Sequence, residues 1–216
     1  MGDADMSFLE IRNLCVSYPA GEDGARLRVL EDLSFDVAQG EFLVVTGKSG
    51  CGKTTLLRTI GGFLAPDDGS ILLDSAPVQT PGKDRMMIFQ SFDQLFPWFS
   101  VKENLCYAMK KTGIPAKERE AAAERFLADT GLTAFANACP NALSGGMKQR
   151  AALARALSLQ PLLFLMDEPF SSLDEETRLE MHDLIRRLIK EQGKTAILVT
   201  HDRVEAKALG DRIISL

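Results

Sequence analysis

The sequence predicts a parallel α/β core with an N-terminal antiparallel β subdomain and an inserted α-helical subdomain. Three observations carry that prediction. First, Gly47-Lys48-Ser49-Gly50-Cys51-Gly52-Lys53-Thr54 fits the pattern G-x-x-x-x-G-K-[ST] and stands between an apolar run at 42–46 and a helix-compatible stretch at 55–60. Second, strand and helix patterns alternate again later in the chain, at 162–166, 175–191 and 195–200. Third, the stretch 91–158 loses its strand signals and turns helical. Residues 1–216 are therefore expected to form one domain, with 1–90 and 159–216 as core and β subdomain and 91–158 as the helical subdomain.

Each element has a local reason. Residues 7–16 alternate apolar and polar side chains (Phe8, Leu9, Ile11, Leu14, Val16), as a half-buried strand does, and Tyr18-Pro19 closes the run. Turn chemistry at 20–24 leads to a second alternating segment, 27–37, with Val29, Leu33, Phe35 and Val37 on one face. The short connection makes the two strands antiparallel neighbours. Gln39-Gly40 then turns into the run at 42–46. Pro66-Asp67-Asp68-Gly69 is a turn before a short strand at 70–73, and Met86-Met87-Ile88-Phe89 reads as a buried strand ending at Gln90.

Helices are expected at 101–111 and 116–129. Gly113-Ile114-Pro115 separates them, and Ala, Glu and Arg favour the second strongly. The helix at 175–191 sets Met181, Leu184, Ile185, Leu188 and Ile189 at helical spacing and leaves His182 on the charged face, where it is expected to be solvated. A last short strand is expected at 212–215.

Composition narrows the function classes. With 45% hydrophobic and 25% charged residues the chain is globular rather than disordered. The net charge is −5 with Lys and Arg scattered, so nucleic acid is not an expected partner. The longest apolar run, 162–166, is far below the roughly 18 residues that a membrane-spanning helix needs. The acidic start, Met1 to Met6, has no apolar signal core. Cys15, Cys51, Cys106 and Cys139 lack the paired spacing of a zinc site or a disulfide framework and are expected as free thiols in a reducing compartment. Cys51 differs in sitting among loop amides that favour a thiolate.

The chemistry starts at the glycine-rich loop. Glycines let consecutive N–H groups turn toward phosphate oxygens with no Cβ in the way, and the following helix aims its positive end at the same anions. Lys53 supplies a mobile charge for the outer phosphates, and the Thr54 hydroxyl suits the Mg2+ that those phosphates carry. Downstream, the apolar run at 162–166 ends in Asp167-Glu168. A buried strand holds Asp167 rigidly enough to orient Mg2+, and Glu168, one step on, points elsewhere and can polarise a water attacking the terminal phosphate. Leu143-Ser144-Gly145-Gly146-Met147-Lys148-Gln149-Arg150 opens a helix. Ser144 is a good N-cap, and the glycine pair leaves helix amides exposed as a second anion site, at a helix cost of about 1 kcal/mol each.

That second segment, placed upstream of Asp167-Glu168, resembles the signature of the ATP-binding cassette (ABC) ATPases. The resemblance covers nearly the whole chain. Gln90 resembles the family's Q-loop glutamine, and Ser171-Ser172-Leu173-Asp174 its D-loop, where alanine is more usual at the second position. Val199-Thr200-His201-Asp202 resembles its switch-histidine strand, and Tyr18 stands where the family stacks an aromatic ring on adenine. The resemblance implies a P-loop NTPase (RecA-like) core and a head-to-tail dimer, in which each ATP lies between one phosphate loop and the partner's signature.

Position by position, Tyr18, Gly47, Lys48, Ser49, Gly50, Cys51, Gly52, Lys53, Thr54 and Thr55 would bind ATP from one side. Thr54, Gln90 and Asp167 would serve Mg2+. Ser144 and Gly146 would reach the γ-phosphate across the interface, with Gly145 in the same cofactor-binding segment and Asp174 coupling the two sites. Glu168, His201 and Gln90 would form the catalytic set. The competing roles are a strand-end packing residue for Tyr18, a surface polar group for Gln90 and a structural histidine for His201.

Gln90-Ser91-Phe92-Asp93-Gln94-Leu95-Phe96-Pro97-Trp98-Phe99-Ser100-Val101-Lys102-Glu103-Asn104 points to a branch. It looks like the importer cassettes for nitrate, sulfonates and taurine, in which this region docks a helix of the membrane permease. Phe92, Leu95, Phe96, Trp98 and Phe99 are more apolar surface than a solvated loop carries, although packing under the helical subdomain competes for some of them. The resemblance implies permease subunits docked near 90–104, a second cassette (a second copy of this chain), indirectly a solute-binding protein, and a peripheral place on the cytoplasmic face of the cell membrane. Three alternatives remain at this point: an exporter or lipoprotein-release cassette, a non-transport cassette, and a nucleotide sensor that does not hydrolyse. The chain stops at Leu216, where many relatives continue, so a C-terminal regulatory segment is expected to be missing.

Overall fold

The structure is a computed structural model that describes residues 7–20, 25–89, 95–171 and 173–216. In chain order the strands are β1 (Leu9–Pro19), β2 (Arg26–Val37), β3 (Phe42–Thr46), β4 (Asp68–Leu73), β5 (Ala76–Pro77), β6 (Arg85–Ile88), β7 (Leu163–Asp167), β8 (Thr195–Thr200) and β9 (Arg212–Ser215). The helices are α1 (Lys53–Ile60), α2 (Val101–Lys111), α3 (Ala116–Asp129), α4 (Gly145–Ser158), α5 (Glu175–Glu191) and α6 (Arg203–Leu209). They fall into two compact units: Met1–Met87, Leu163–Glu168 and Ile189–Leu216 form one, and Ile88–Leu162 with Pro169–Leu188 the other.

The first unit holds two sheets. One runs β2-β1-β4-β5 and is antiparallel at each pairing; the other runs β6-β7-β8-β3-β9, with parallel pairing of β7 to β8, β8 to β3 and β3 to β9. The central strands β3, β7 and β8 are short unbroken apolar runs because both faces are buried, as parallel sheets require. One core joins the two sheets, from Leu9, Ile11 and Leu14 through Leu56, Leu57 and Ile60 of α1 to Leu165, Ile197 and Val199.

Two details differ from the sequence pattern. Strand β1 runs on through Tyr18 and Pro19, with Tyr18 opposite Leu27. In β2 it is Leu30 (3% exposed), not Val29, that joins Val37 in the core. The cause is a break in register: Leu14 pairs with Leu33 but Val16 with Leu30, and Asp32 sits at φ +47°. One extra residue moves the alternation to the other face. Asn13 steadies the bulge, its N–H donating to Ser34 Oγ (2.7 Å) and its amide to Asp32 Oδ1 (2.6 Å).

In the second unit, α2, α3 and α4 pack through Val101, Leu105 and Met109, through Ala123, Phe126 and Leu127, and through Leu153, Ala154 and Leu157. Helix α2 begins with a capping box: Ser100 Oγ accepts from Glu103 N–H (3.2 Å), and Glu103 Oε2 from Ser100 N–H (2.7 Å). Helix α5 corrects the expectation for His182, which is 3% exposed and meets Phe170 edge-on with ring centroids 4.8 Å apart. The buried stripe is Met181, His182, Ile185, Leu188 and Ile189, and Leu184 lies at its edge. His182 stands three residues before Ile185 and seven before Ile189, so helical geometry places it on that stripe.

Candidate functional site

Ladder geometry assembles the site of the first unit. Thr46 of β3 lies opposite Thr200 of β8, and Asp167 of β7 opposite Val199, so three parallel strands end at one level. Ligands of open α/β sheets bind beyond the carboxyl ends of such strands. The chain leaving β3 forms the loop 47–52, in which Lys48, Ser49 and Gly50 are exposed and Cys51 is half-buried. Gly50 and Gly52 take φ of +82° and +102°, a region that a side chain disfavours. The loop delivers its amides to the start of α1, where Gly52 is the N-cap.

Lys53 begins α1 and folds back over the loop. Its side chain is 6% exposed, and Nζ donates to Gly47 O (2.9 Å) and Lys48 O (3.1 Å). Nζ also lies 3.8 Å from Glu168 Oε1. A buried ammonium needs such partners to offset its lost hydration. The next residue, Thr54, donates its hydroxyl to Asp167 Oδ1 at 3.0 Å. Burial raises the pKa of the Asp167 carboxyl above the ordinary carboxylate range; the Thr54 hydroxyl opposes that shift and the Glu168 charge adds to it. Thr55 is buried, with its hydroxyl 3.3 Å from that of Tyr18.

Glu168 turns sharply out of β7, with φ at +43° and its N–H donating to Val199 O (3.1 Å). A non-glycine residue in that region carries a strain of about 1–2 kcal/mol. The turn places Oε1 toward Lys53 and leaves Oε2 3.1 Å from Nδ1 of His201, whose side chain is 59% exposed. One carboxylate thus stands between a fixed cation and an exposed imidazole. A carboxylate held this way can orient a water, and the histidine can hold the carboxylate's direction.

Other expected residues lie in the second unit. Ser144 caps α4, its hydroxyl accepting from Met147 N–H at 3.3 Å. Asp174 caps α5, accepting from Thr177 N–H (2.9 Å) and from the Thr177 hydroxyl (2.8 Å); those two donors hold its pKa low. Gly146 and Thr177 adjoin, for a Cβ on Gly146 would meet Thr177 Cγ2 at 2.6 Å. Gln90, Phe92 and Ser172 lie outside the described residues.

The aromatic stretch is built around Asn104, which the sequence marks as the end of the stretch without giving it a role. Asn104 is fully buried. Its Oδ1 accepts from Phe96 N–H (2.8 Å), and its Nδ2 donates to Phe96 O (3.1 Å), Phe99 O (3.1 Å) and Ser100 O (3.0 Å). The ring of Phe96 meets those of Trp98 (5.6 Å), Phe99 (5.9 Å) and Tyr107 (5.2 Å), and Trp98 is 69% exposed. The available signal was a polar amide in the first turns of a helix just after an aromatic run, where it is a poor helix former.

Among the described residues no group of three or more His, Cys, Asp or Glu is placed to hold a metal, and no helix is long and apolar enough to cross a membrane. The arrangement at the strand ends is that of a nucleoside-triphosphate site: an amide cradle, a buried lysine, a hydroxyl–carboxylate pair and a second carboxylate. The sequence model of the family described as ABC transporter matches residues 30–171, and this chain belongs to that family. It is 44% identical over 209 residues to the taurine import ATP-binding protein TauB of Jannaschia sp. (strain CCS1), covering 97% of this chain and 77% of that protein. It is 41% identical over 211 residues to the bicarbonate transport ATP-binding protein CmpC of Synechococcus elongatus, covering 97% of this chain but 32% of that protein. The fold matches the dimeric ATP-binding cassette MJ0796, solved in a post-hydrolysis state with ADP and Pi. The TM-score there is 0.84 at 32% identity, over 96% of this chain and 94% of that one.

Proposed function

We propose that this chain is the ATP-binding and ATP-hydrolysing subunit of a membrane importer for a small solute such as taurine, another sulfonate, nitrate or bicarbonate. The observation that carries the chemistry is the Glu168 carboxylate set between Lys53 (3.8 Å) and His201 (3.1 Å). Glu168 orients and deprotonates the attacking water, and His201 holds Glu168 and the γ-phosphate in line. The loop amides from Gly47 to Thr55 and Lys53 bind the phosphates, and Tyr18 lies against the base. Thr54 and Asp167 suit the Mg2+ that accompanies ATP. Their oxygens are hard donors 3.0 Å apart, and a cation beside Asp167 would oppose the burial that raises its carboxyl's pKa. Thr54 and Asp167 would hold Mg2+ there, and it would supply positive charge to offset that of the phosphates.

Ser144, Gly145 and Gly146 act on the ATP of a second cassette, with Asp174 at the same interface; the dimeric state of the MJ0796 cassette supports this. ATP binding closes the dimer and hydrolysis reopens it. The motion passes to a permease at the cytoplasmic membrane surface through the region 90–104, where exposed Trp98 stands over Phe96. The relative named for taurine import favours import over export. Solute choice belongs to permease and receptor, not to this fold.

The test is purification of the tagged chain from gently solubilised membranes of its own source. An integral membrane protein is expected with it, and Phe96→Ala with Trp98→Ala is expected to lose that partner while leaving ATP binding intact. Recovery of soluble partners alone would contradict the transport reading.

A further inference from the structure

Residues 200–205 close a ring of hydrogen bonds around His201, and one of its buried acceptors is a carboxylate with no part in the proposed chemistry. Thr200, the last residue of β8, is 2% exposed and Glu205 3%. The Thr200 hydroxyl donates to Glu205 Oε2 at 2.6 Å and accepts from Asp202 N–H at 3.0 Å. Asp202 closes the other side: its Oδ1 accepts from the N–H groups of Val204 (2.6 Å) and Glu205 (3.4 Å), which caps α6. The peptide that follows His201 therefore belongs to a bonded turn, and the imidazole leaves it to meet Glu168 at 3.1 Å.

The chemistry of a hydroxyl explains why Glu205 matters here. Thr200 has one proton to give; once a carboxylate takes it, a lone pair is left facing the Asp202 amide. Without that acceptor the hydroxyl is free to rotate, and the amide that fixes the peptide after His201 loses its alignment. The net contribution of one such hydrogen bond to stability is small, whereas its effect on the direction of the Asp202 amide is specific.

We propose that Glu205 is a positioning residue for His201, which it orients against Glu168 through the Thr200 hydroxyl. The proposal rests on the hydrolytic role given to His201 above. The experiment measures ATP turnover and ATP affinity for the purified full chain carrying His201→Ala, Glu205→Ala, Glu205→Gln, Thr200→Val, or His201→Ala with Glu205→Ala. Misplacing a reacting group by a fraction of an ångström costs about 10-fold or more in rate. Glu205→Ala and Thr200→Val should lose that much kcat, with ATP affinity held within about 2-fold. Glu205→Gln keeps an acceptor oxygen and should recover most of the loss. The double variant should be no slower than His201→Ala alone, because Glu205 acts through His201. Wild-type turnover in Glu205→Ala beside a slow His201→Ala would overturn the positioning role and leave His201 in place. Multiplying losses in the double variant would overturn it in favour of a general packing role. Wild-type turnover in His201→Ala would overturn the hydrolytic reading itself. Should Glu205→Ala fail to fold, Thr200→Val and Glu205→Gln decide the question by the same criteria.

Discussion

The two glycine-rich turns, 47–52 and 144–146, look alike in sequence and depend on glycine for different reasons. In the first, the backbone demands it. Gly50 and Gly52 have positive φ, and a Cβ on Gly52 would lie 2.8 Å from Leu30 Cδ2 and 3.0 Å from Val29 O. In the second, neither glycine has positive φ. Gly146 is there for space, against the Thr177 methyl, and a Cβ on Gly145 would meet nothing within 4 Å. The phosphate loop therefore needs its glycines for its own backbone and packing. The signature turn holds one glycine with no packing reason among the described residues, which supports the proposed approach of a partner's nucleotide to Gly145.

The largest effect should come from breaking the first turn. Gly52→Ala combines about 1–2 kcal/mol of left-handed strain with about 1–3 kcal/mol of overpacking. Its melting temperature should fall and its ATP binding, measured at equilibrium, should be lost. Native stability with normal ATP affinity would end the claim that this backbone requires glycine.

A smaller loss is expected at the second turn. Gly146→Ala should cost about 1–3 kcal/mol in denaturant unfolding. Thr177→Ser, which removes the methyl and keeps the hydroxyl donated to Asp174, should restore it. Gly145→Ala should leave stability unchanged or raise it by about 0.5–1 kcal/mol, yet slow ATP turnover. A fully active Gly145→Ala would remove the case for an external partner at that glycine.

The smallest effect separates two carboxylates, one beside each turn. Burial lifts the pKa of Asp167 above its reference of 3.8, and the Thr177 donors pull that of Asp174 below it. An acid with a raised folded pKa holds its proton more tightly when folded, so its charge costs stability above that pKa, and the cost fades as pH falls through the folded pKa toward 3.8. Asp167→Asn should thus raise the melting temperature of the nucleotide-free protein at neutral pH, and the gain should shrink toward about pH 4. Asp174 works in the opposite sense: its stabilisation is present above 3.8 and lost as pH falls through its lower folded pKa. Asp174→Asn should lower the melting temperature at neutral pH and converge with wild type in acid.

Much of this fold is legible in the sequence because its signals are local. The helices at 101–111, 116–129 and 175–191 and the strand at 195–200 have the expected bounds, since capping residues, breakers and unbroken apolar runs mark them. What periodicity does not reveal is depth and register. A bulge at Asp32 exchanged Val29 for Leu30, and a polar ring, His182, joined an apolar stripe that a residue-type count assigns to solvent. The site divides in the same way. Lys53, Thr54, Asp167 and Glu168 follow from two motifs, and parallel strand ends bring them together with His201. That Gly146 answers to Thr177, that Asn104 ties down Phe96 and that Glu205 holds Thr200 are tertiary facts, and no spacing rule contains them.

The most direct test of the central claim is ATP turnover in Glu168→Gln, measured alongside equilibrium ATP affinity. The substitution keeps shape and removes the base, so affinity should survive while kcat falls by about 10²–10⁴. Steady-state hydrolysis near the wild-type rate would contradict the account, because the carboxylate between Lys53 and His201 would then not be the group that activates water.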